Sequence, residues 1–421
     1  MEKLKVKNFV VLKNAEIEIK KLNVIIGPQA NGKSLLAKLT NFFKTIPNIF
    51  IQSIRTFDTK REFDKKILSK FEERFPRYSW EGSSFNILYV NGEISIAIDG
   101  KSNKKNKTTI TLKYSENLTK TFNAKKATYK RKTEEHKLKA PEDDFLEDWS
   151  LVRNHITEPL RSEYSFFNGE PIFIPASRSF FANLQKNIFT FLASNLEIDP
   201  YLKDFGRIYE QSKRFYGEPY LIGRVDEAVA NYSDIFETVV SGKYQYEDEQ
   251  DWIVTKGRKI NLANASSGQQ ESLPMLLVLM IWPVLRSNSV GDMYFIEEPE
   301  AHLFPTAQNK VISLLSKIQD HANNSYFITS HSPYILSAIN NLILANDTIS
   351  NGNMSLEDFV ELNGPSSPIS FEDTAAYTIL DGVSTPIADP EYRMIGADLL
   401  DDISEHFEHV MNKMISSGSE Q

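Results

Sequence analysis

Apolar residues recur along this chain with two periods. Ala15, Ile17 and Ile19 alternate with Glu16, Glu18 and Lys20, the period of two that a half-buried strand requires. Leu22-Asn23-Val24-Ile25-Ile26 is an almost unbroken apolar run and predicts a buried strand, and Leu35-Leu36-Ala37-Lys38-Leu39 changes to helix formers. Residues 56–75 lack Gly and Pro and set Phe57, Phe63, Ile67, Leu68 and Phe71 among charges, which predicts a helix. Two strand runs, residues 85–90 and 93–98, flank Asn91-Gly92, a strong hairpin signal. Residues 108–114 read as another strand and Lys120-Thr121-Phe122 as one more, so residues 85–139 read as an antiparallel meander.

Residues 141–164 predict a helix with Phe145, Leu146, Trp149, Val152 and Ile156 on one side. A short buried strand at 171–175 leads into Ala176-Ser177-Arg178. Residues 180–240 read as mainly helical, with breaks at Asp199-Pro200 and at Gly217-Glu218-Pro219 and no sustained heptads. Residues 244–260 read as a strand pair around Lys256-Gly257, and 271–285 as an apolar helix entered through Pro274. Then come a buried strand at 293–296, an amphipathic helix at 305–322, a strand at 326–328, a helix at 333–340 and a last sheet strand at 342–344. Asp, Ser, Gly and Pro crowd the region after Asn346, where Asp373, Asp381 and Asp389 read as turn residues, and a helix is expected over 396–415. The expected fold is α/β: a mixed central sheet plus an antiparallel meander, with a helical insertion. The expected division is an N-terminal half over 1–175, the insertion over 176–255 and a C-terminal half over 256–421.

Composition narrows the setting. The 421 residues contain no cysteine, which excludes disulfides, thiol catalysis and cysteine-held zinc. Charges interrupt the first residues, so they are no signal peptide, and the longest apolar run, near Met275 to Val284, is too short to span a bilayer. A cytoplasmic protein without a membrane segment is the expectation. The net charge is −8, yet residues 101–139 hold thirteen basic residues against three glutamates. Lys125, Lys126, Lys130, Arg131 and Lys132 form its densest part, which fits either a nucleic-acid contact or a solvated surface.

Gly27-Pro28-Gln29-Ala30-Asn31-Gly32-Lys33-Ser34 matches the phosphate-binding pattern G-x-x-x-x-G-K-[ST], between a predicted strand and a predicted helix. Backbone N–H groups there and at the helix start, with Leu35 next in line, favour phosphate. The pattern gives Lys33 the β- and γ-phosphates and Ser34 a Mg2+. Met293-Tyr294-Phe295-Ile296-Glu297-Glu298 delivers two carboxylates to a strand tip, Glu297 suited to Mg2+ and Glu298 to the attacking water. Ala265-Ser266-Ser267-Gly268-Gln269 opens a helix and offers a second anion site, though an ordinary helix cap has the same composition. His331, after another strand, is placed to hydrogen-bond a γ-phosphate.

This set, in this order, resembles the heads of ABC-type ATPases, and the start Leu4-Lys5-Val6-Lys7-Asn8-Phe9 and the run from Glu297 through Pro305 (Glu-Glu-Pro-Glu-Ala-His-Leu-Phe-Pro) are similar to the SMC-like and OLD-like group. The resemblance implies ATP and Mg2+ as cofactors and a homo-oligomer of ATP-sandwiched heads. In it, Ser266, Gly268 and Gln269 of one head meet the nucleotide held by Gly27, Asn31, Gly32, Lys33, Ser34 and Leu35 of another, with Glu298, His331 and Lys33 catalytic. Ala265 and Ser267 depart from the L-S-G-G-Q signature, and Glu297 stands where Asp is usual. Gln52 is a weak candidate for the family's bridging glutamine, and Arg178 an alternative reaching the nucleotide. About 75 residues follow the last predicted strand, fewer than a typical domain, so no TOPRIM nuclease is expected. The pattern is similar to ATPase subunits of bacterial antiphage systems of the PARIS, Septu and retron kinds, which implies a separate nuclease or toxin effector as partner. A DNA-clamping ATPase and a non-hydrolysing ATP-dependent scaffold are the alternatives.

Overall fold

The computed structural model describes residues 1–137, 145–184, 198–217, 232–286 and 291–396. Its centre is an eleven-stranded mixed sheet. β1 (Glu2–Phe9), β2 (Leu12–Ile19) and β3 (Leu22–Ile26) lead into α1 (Lys33–Arg55) and α2 (Lys60–Arg74). Next come β4 (Phe85–Asn91), β5 (Ile94–Ser102), β6 (Thr108–Tyr114), α3 (Glu116–Lys137), α4 (Phe145–Val152) and α5 (Glu158–Glu163). β7 (Pro171–Ile174) precedes α6 (Pro200–Gly217) and a separate three-stranded sheet of β8 (Lys243–Glu247), β9 (Gln250–Thr255) and β10 (Arg258–Asn261). The chain continues through α7 (Ser267–Leu285), β11 (Met293–Glu297), α8 (Pro305–Ala322), β12 (Ser325–Ser330), α9 (Pro333–Ser350) and α10 (Leu356–Asn363). β13 (Thr374–Leu380) and β14 (Val383–Pro386) return to the large sheet, and β15 (Ala388–Asp389) pairs with β16 (Met394–Ile395).

The sheet runs β6-β5-β4-β1-β2-β14-β13-β3-β12-β11-β7. β13, β3, β12, β11 and β7 are mutually parallel, whereas β6 through β2 form an antiparallel meander. Parallel strands covered on both faces need apolar side chains on both, and β3 and β11 are buried at every position. Successive residues feed opposite cores. Val24, Tyr294 and Ile296 join one with α7, α8 and α9, whereas Ile25, Phe295 and Phe327 join the other with α1, α2 and the meander. α7 is apolar all round and correspondingly buried from Leu273 to Ile281.

Several expectations change. Only the first part of the basic stretch, from Lys101 in β5 to Lys113 in β6, belongs to the meander: Lys120-Thr121-Phe122 lies in α3, where buried Leu118, Phe122 and Tyr129 keep helical spacing. Residues 342–344 belong to α9, whose buried Ile335, Ile339, Leu342 and Ile343 repeat at the same period. The sheet therefore does not end there. β13, with small Ala375 and Ala376, enters its middle between β3 and β14, which a search for long apolar runs passes over. Residues 244–260 make strands of a three-stranded sheet, not a pair, and α7 begins at Ser267 with Pro274 inside it. The helix that begins in residues 56–75 starts at Lys60, after a capping box between Thr59 and Glu62. Trp149 is 53% exposed although Val152 and Ile156 are buried. Asp373 and Asp381 sit in turns, whereas Asp389 ends β15 and its carboxylate accepts from the Glu391 and Tyr392 N–H groups of the turn that follows; the helix expected over 396–415 lies almost wholly outside the described residues.

Candidate functional site

The site forms where β3, β12 and β11 end side by side. β3 runs into Gly27, whose φ of 144° and tight approach to the Ile379 carbonyl exclude a side chain. At the other end of the loop, Gly32 has φ 103° and packs against Leu12. Asn31 secures the turn: its amide donates to the Pro28 and Gln29 carbonyls, and its Oδ1 accepts from the Asp381 N–H in the β13–β14 turn at 3.0 Å. Lys33 and Ser34 then open α1. Leu35, half-buried, packs against the core beneath.

Lys33 Nζ donates to the carbonyls of Gly27 and Pro28, both at 2.7 Å, and lies 3.3 Å from His331 Nδ1. Burial depresses its pKa, with Glu298 and Glu300 working in the opposite direction. The other imidazole nitrogen, Nε2, is 3.2 Å from Glu298 Oε1. Lysine, histidine and glutamate from three separate elements thus form one line. Glu298 itself is a half-exposed carboxylate on a left-handed backbone, φ 45°, just past the end of β11.

Glu297 points the other way and is 5% exposed. Burial raises its pKa, countered by Lys38, the Ala176 N–H and the Ser34 hydroxyl. Oε2 accepts from Ala176 N at 3.1 Å, while Oε1 is buried without a hydrogen-bond partner. An orphaned carboxylate oxygen beside a serine hydroxyl fits a small hard cation. Among the described residues no group of three or more His, Asp or Glu could hold a metal alone. Mg2+ is commonly held by one or two protein ligands together with substrate phosphates.

Two further residues shape the site. Glu300 Oε1 accepts from the Ser330 hydroxyl at 2.8 Å and the His331 N–H at 2.7 Å, which fixes the backbone that carries the imidazole. Gln308 accepts from the Ser332 hydroxyl at 2.6 Å and donates to the Leu303 carbonyl. Glu300 was visible as the third acid of Glu297-Glu298-Pro299-Glu300; Gln308 gives no sequence signal.

Ser266, Gly268 and Gln269 lie apart from this line. They form the first turn of α7 as a capping box: Ser266 N donates to Gln269 Oε1 at 3.1 Å and Gln269 N to Ser266 Oγ at 3.4 Å. With His302, Leu303, Phe304 and Lys310 they line an open hollow of about 360 Å3 that no residue of the 27–34 loop enters. The two other candidates for a nucleotide contact do not reach it. Gln52 is an exposed residue in the last turn of α1, roughly 28 Å along the helix from Lys33. Arg178 is wholly buried, and its guanidinium is committed to protein carbonyls. On α3, Lys125 pairs with Glu163, Lys126 donates to the Asp58 carbonyl and Lys132 pairs with Glu135. Lys130 and Arg131 are exposed, and Arg131 lies 3.8 Å from Glu135.

A glycine loop with its lysine at a helix start, beside a strand tip bearing two glutamates, defines a phosphate-loop ATPase class. Residues 1–336 match a family model described as an AAA ATPase domain, and the chain belongs to that family. No curated protein matches it significantly. Among solved structures it is similar to the SMC head domain from Thermotoga maritima, at 14% identity over 91% of this chain and 97% of that one, TM-score 0.36. It is also similar to the Smc head domain with an extended coiled coil from Pyrococcus furiosus, at 12% identity over 97% and 100%, TM-score 0.37. The recombination mediator protein RecF aligns at 12% identity over 92% and 97%, TM-score 0.29. No described helix is long and apolar enough to cross a membrane.

Proposed function

We propose that the chain is an ABC-type ATPase that hydrolyses ATP in a composite site between two copies of itself. The observation that carries this reading is the division of the machinery. Lys33, Glu298 and His331 stand together, whereas Ser266 and Gly268 open a separate hollow, so one chain supplies only part of a γ-phosphate shell.

In this reading, Lys33 exchanges the Gly27 and Pro28 carbonyls for phosphate oxygens. Ser34 and Glu297 would hold Mg2+, which would supply charge neutralisation to the phosphates. Glu298 accepts a proton from the attacking water as the bond to the leaving phosphate oxygen breaks. His331, held by Glu300, hydrogen-bonds the γ-phosphate. Ser266 and the N-terminus of α7 from the second copy complete the anion shell. ATP then clamps the two heads and hydrolysis releases them.

The chain has the parts of an ATPase head, and we read its output as passing to a partner. We assign it the role of sensor or scaffold subunit that controls a separate nuclease or toxin in antiphage defence. The DNA-clamping alternative is less well supported, because Lys125, Lys126 and Lys132 are engaged with protein groups. Light scattering of Glu298→Gln with ATP and Mg2+ tests the core of the proposal. A stable ATP-dependent dimer is expected, and a monomer at saturating ATP would refute the composite site. Wild-type turnover equal to that of Glu298→Gln would instead favour the non-hydrolysing scaffold.

A further inference from the structure

Arg178 has no place in the chemistry above, yet it is the most fully engaged charged side chain near it. Its exposure is 0%, and that of Glu271 in α7 is 4%. The guanidinium donates to four carbonyls. Nε reaches Glu271 O at 2.8 Å, Nη1 reaches Pro175 O at 2.9 Å and Glu297 O at 2.7 Å, and Nη2 reaches Glu298 O at 3.0 Å. The Glu271 carboxylate accepts in return from Arg178 N at 2.9 Å and Ser179 N at 3.1 Å, and lies 3.5 Å from Nε. Within the same loop, Ala176 N donates to the Glu297 carboxylate.

Three elements are therefore joined by one side chain: the loop after β7, the tip of β11 and the second turn of α7. The β11 end of this connection is strained. A left-handed backbone is unfavourable for a non-glycine residue, and Glu298 is held there by its N–H donating to Thr329 O and its carbonyl accepting from Arg178. At the other end, Glu271 is five residues from Ser266, about 7 Å along the helix. A buried arginine that loses its acid leaves an uncompensated charge, so neither partner moves alone.

We propose that Arg178 and Glu271 are positioning residues that couple the Glu297-Glu298 tip of a chain to the Ser266 end of the same chain. Nucleotide held by the 27–34 loop sets the tip, the tip sets Arg178, and Arg178 sets the face that α7 offers to a second copy. Each chain thereby presents its α7 hollow in register only when its own site is filled. This inference rests on the composite-site reading.

The test places Arg178→Lys and Glu271→Gln in the Glu298→Gln background and follows ATP-dependent dimerisation by light scattering. Arg178→Lys keeps the charge but cannot reach four carbonyls, and Glu271→Gln leaves the β11 contacts in place. ATP affinity measured on the monomer is expected to stay within about threefold, while the ATP concentration for half-maximal dimerisation rises at least about tenfold. In the otherwise wild-type chain, Arg178→Lys should lower kcat with little change in KM. A shift in melting temperature with unchanged dimerisation and kcat would reduce both residues to structural ones and overturn the proposal. Should both variants fail to fold, hydrogen exchange on the wild-type chain decides: ATP should slow the Arg178 and Ser179 amides, and no change overturns the coupling. If the Glu298→Gln parent does not dimerise, the composite-site reading itself fails, which is a separate outcome.

Discussion

Lys33 Nζ lies 3.3 Å from His331 Nδ1, although 298 residues separate the two. The same imidazole is 3.2 Å from Glu298, so a single ring lies between the loop lysine and the strand-tip carboxylate. In the proposed function, a group at that point would act on the γ-phosphate and little on the rest of the nucleotide. His331→Ala should reduce turnover by about 10²–10³-fold while ATP affinity stays within a few-fold, as befits loss of one preorganised donor. Steady-state turnover beside equilibrium ATP binding checks this; an equal loss in both would make His331 a binding residue.

Glu300 acts on His331 from behind, through the Ser330 hydroxyl and the His331 N–H. Glu300→Gln keeps one acceptor oxygen and loses the charge. The expected outcome is a loss of about tenfold or more in kcat with KM almost unchanged, the scale seen when groups supporting a functional ligand are altered. Glu300→Ala should be more severe, because it leaves the His331 N–H without its acceptor.

Glu297 makes stability and function pull apart. Burial holds its pKa above the ordinary 4.5, so the folded chain binds a proton here more tightly than the unfolded chain. The resulting cost is absent below 4.5 and complete above the raised folded value. Glu297→Gln removes it. The nucleotide-free variant should therefore melt higher than the parent at neutral pH, with the gap closing as pH falls toward 4.5. The extra stability that ATP with Mg2+ gives the parent should be missing. Calorimetry with and without nucleotide across that pH range is the measurement.

A Cβ on Gly268 would lie 2.8 Å from the His302 carbonyl, a backbone atom that cannot swing aside. Gly268→Ala should displace the 302–304 loop from the first turn of α7 and reshape the hollow between them. ATP binding to a single chain should persist, whereas ATP-dependent association should weaken by about tenfold or more, roughly 1.4 kcal/mol. Sedimentation across a concentration series would show it; unchanged association would place the hollow outside the interface.

Much of the site was legible because its chemistry is local. The strand, glycine loop and helix around Lys33 are contiguous, as are the apolar run and paired acids of β11, and each motif carries its own context. The hairpin was equally plain, although its two-residue turn is Gly92-Glu93, one residue further on, with Asn91 paired to Ile94 at the end of β4. Lys120-Thr121-Phe122 misled because three residues cannot separate a period of two from one of 3.6; packing of Leu118, Phe122 and Tyr129 against the core settled it as helix.

By itself the sequence determined the groups: a phosphate loop, two acids at a strand end, a histidine after another strand and a serine at a helix start. Their arrangement depended on sheet order, which pairwise local signals do not encode. β12 lies between β3 and β11, and that placement puts His331 between Lys33 and Glu298. β13, scarcely visible in the sequence, enters beside β3 and braces the loop through Asp381 and Asn31. Arg178 shows the difference most clearly. A lone arginine after a strand reads as a group reaching out to phosphate, but four carbonyls, one from its own loop and three from two distant segments, converge on it, and a guanidinium so surrounded stays inside the protein.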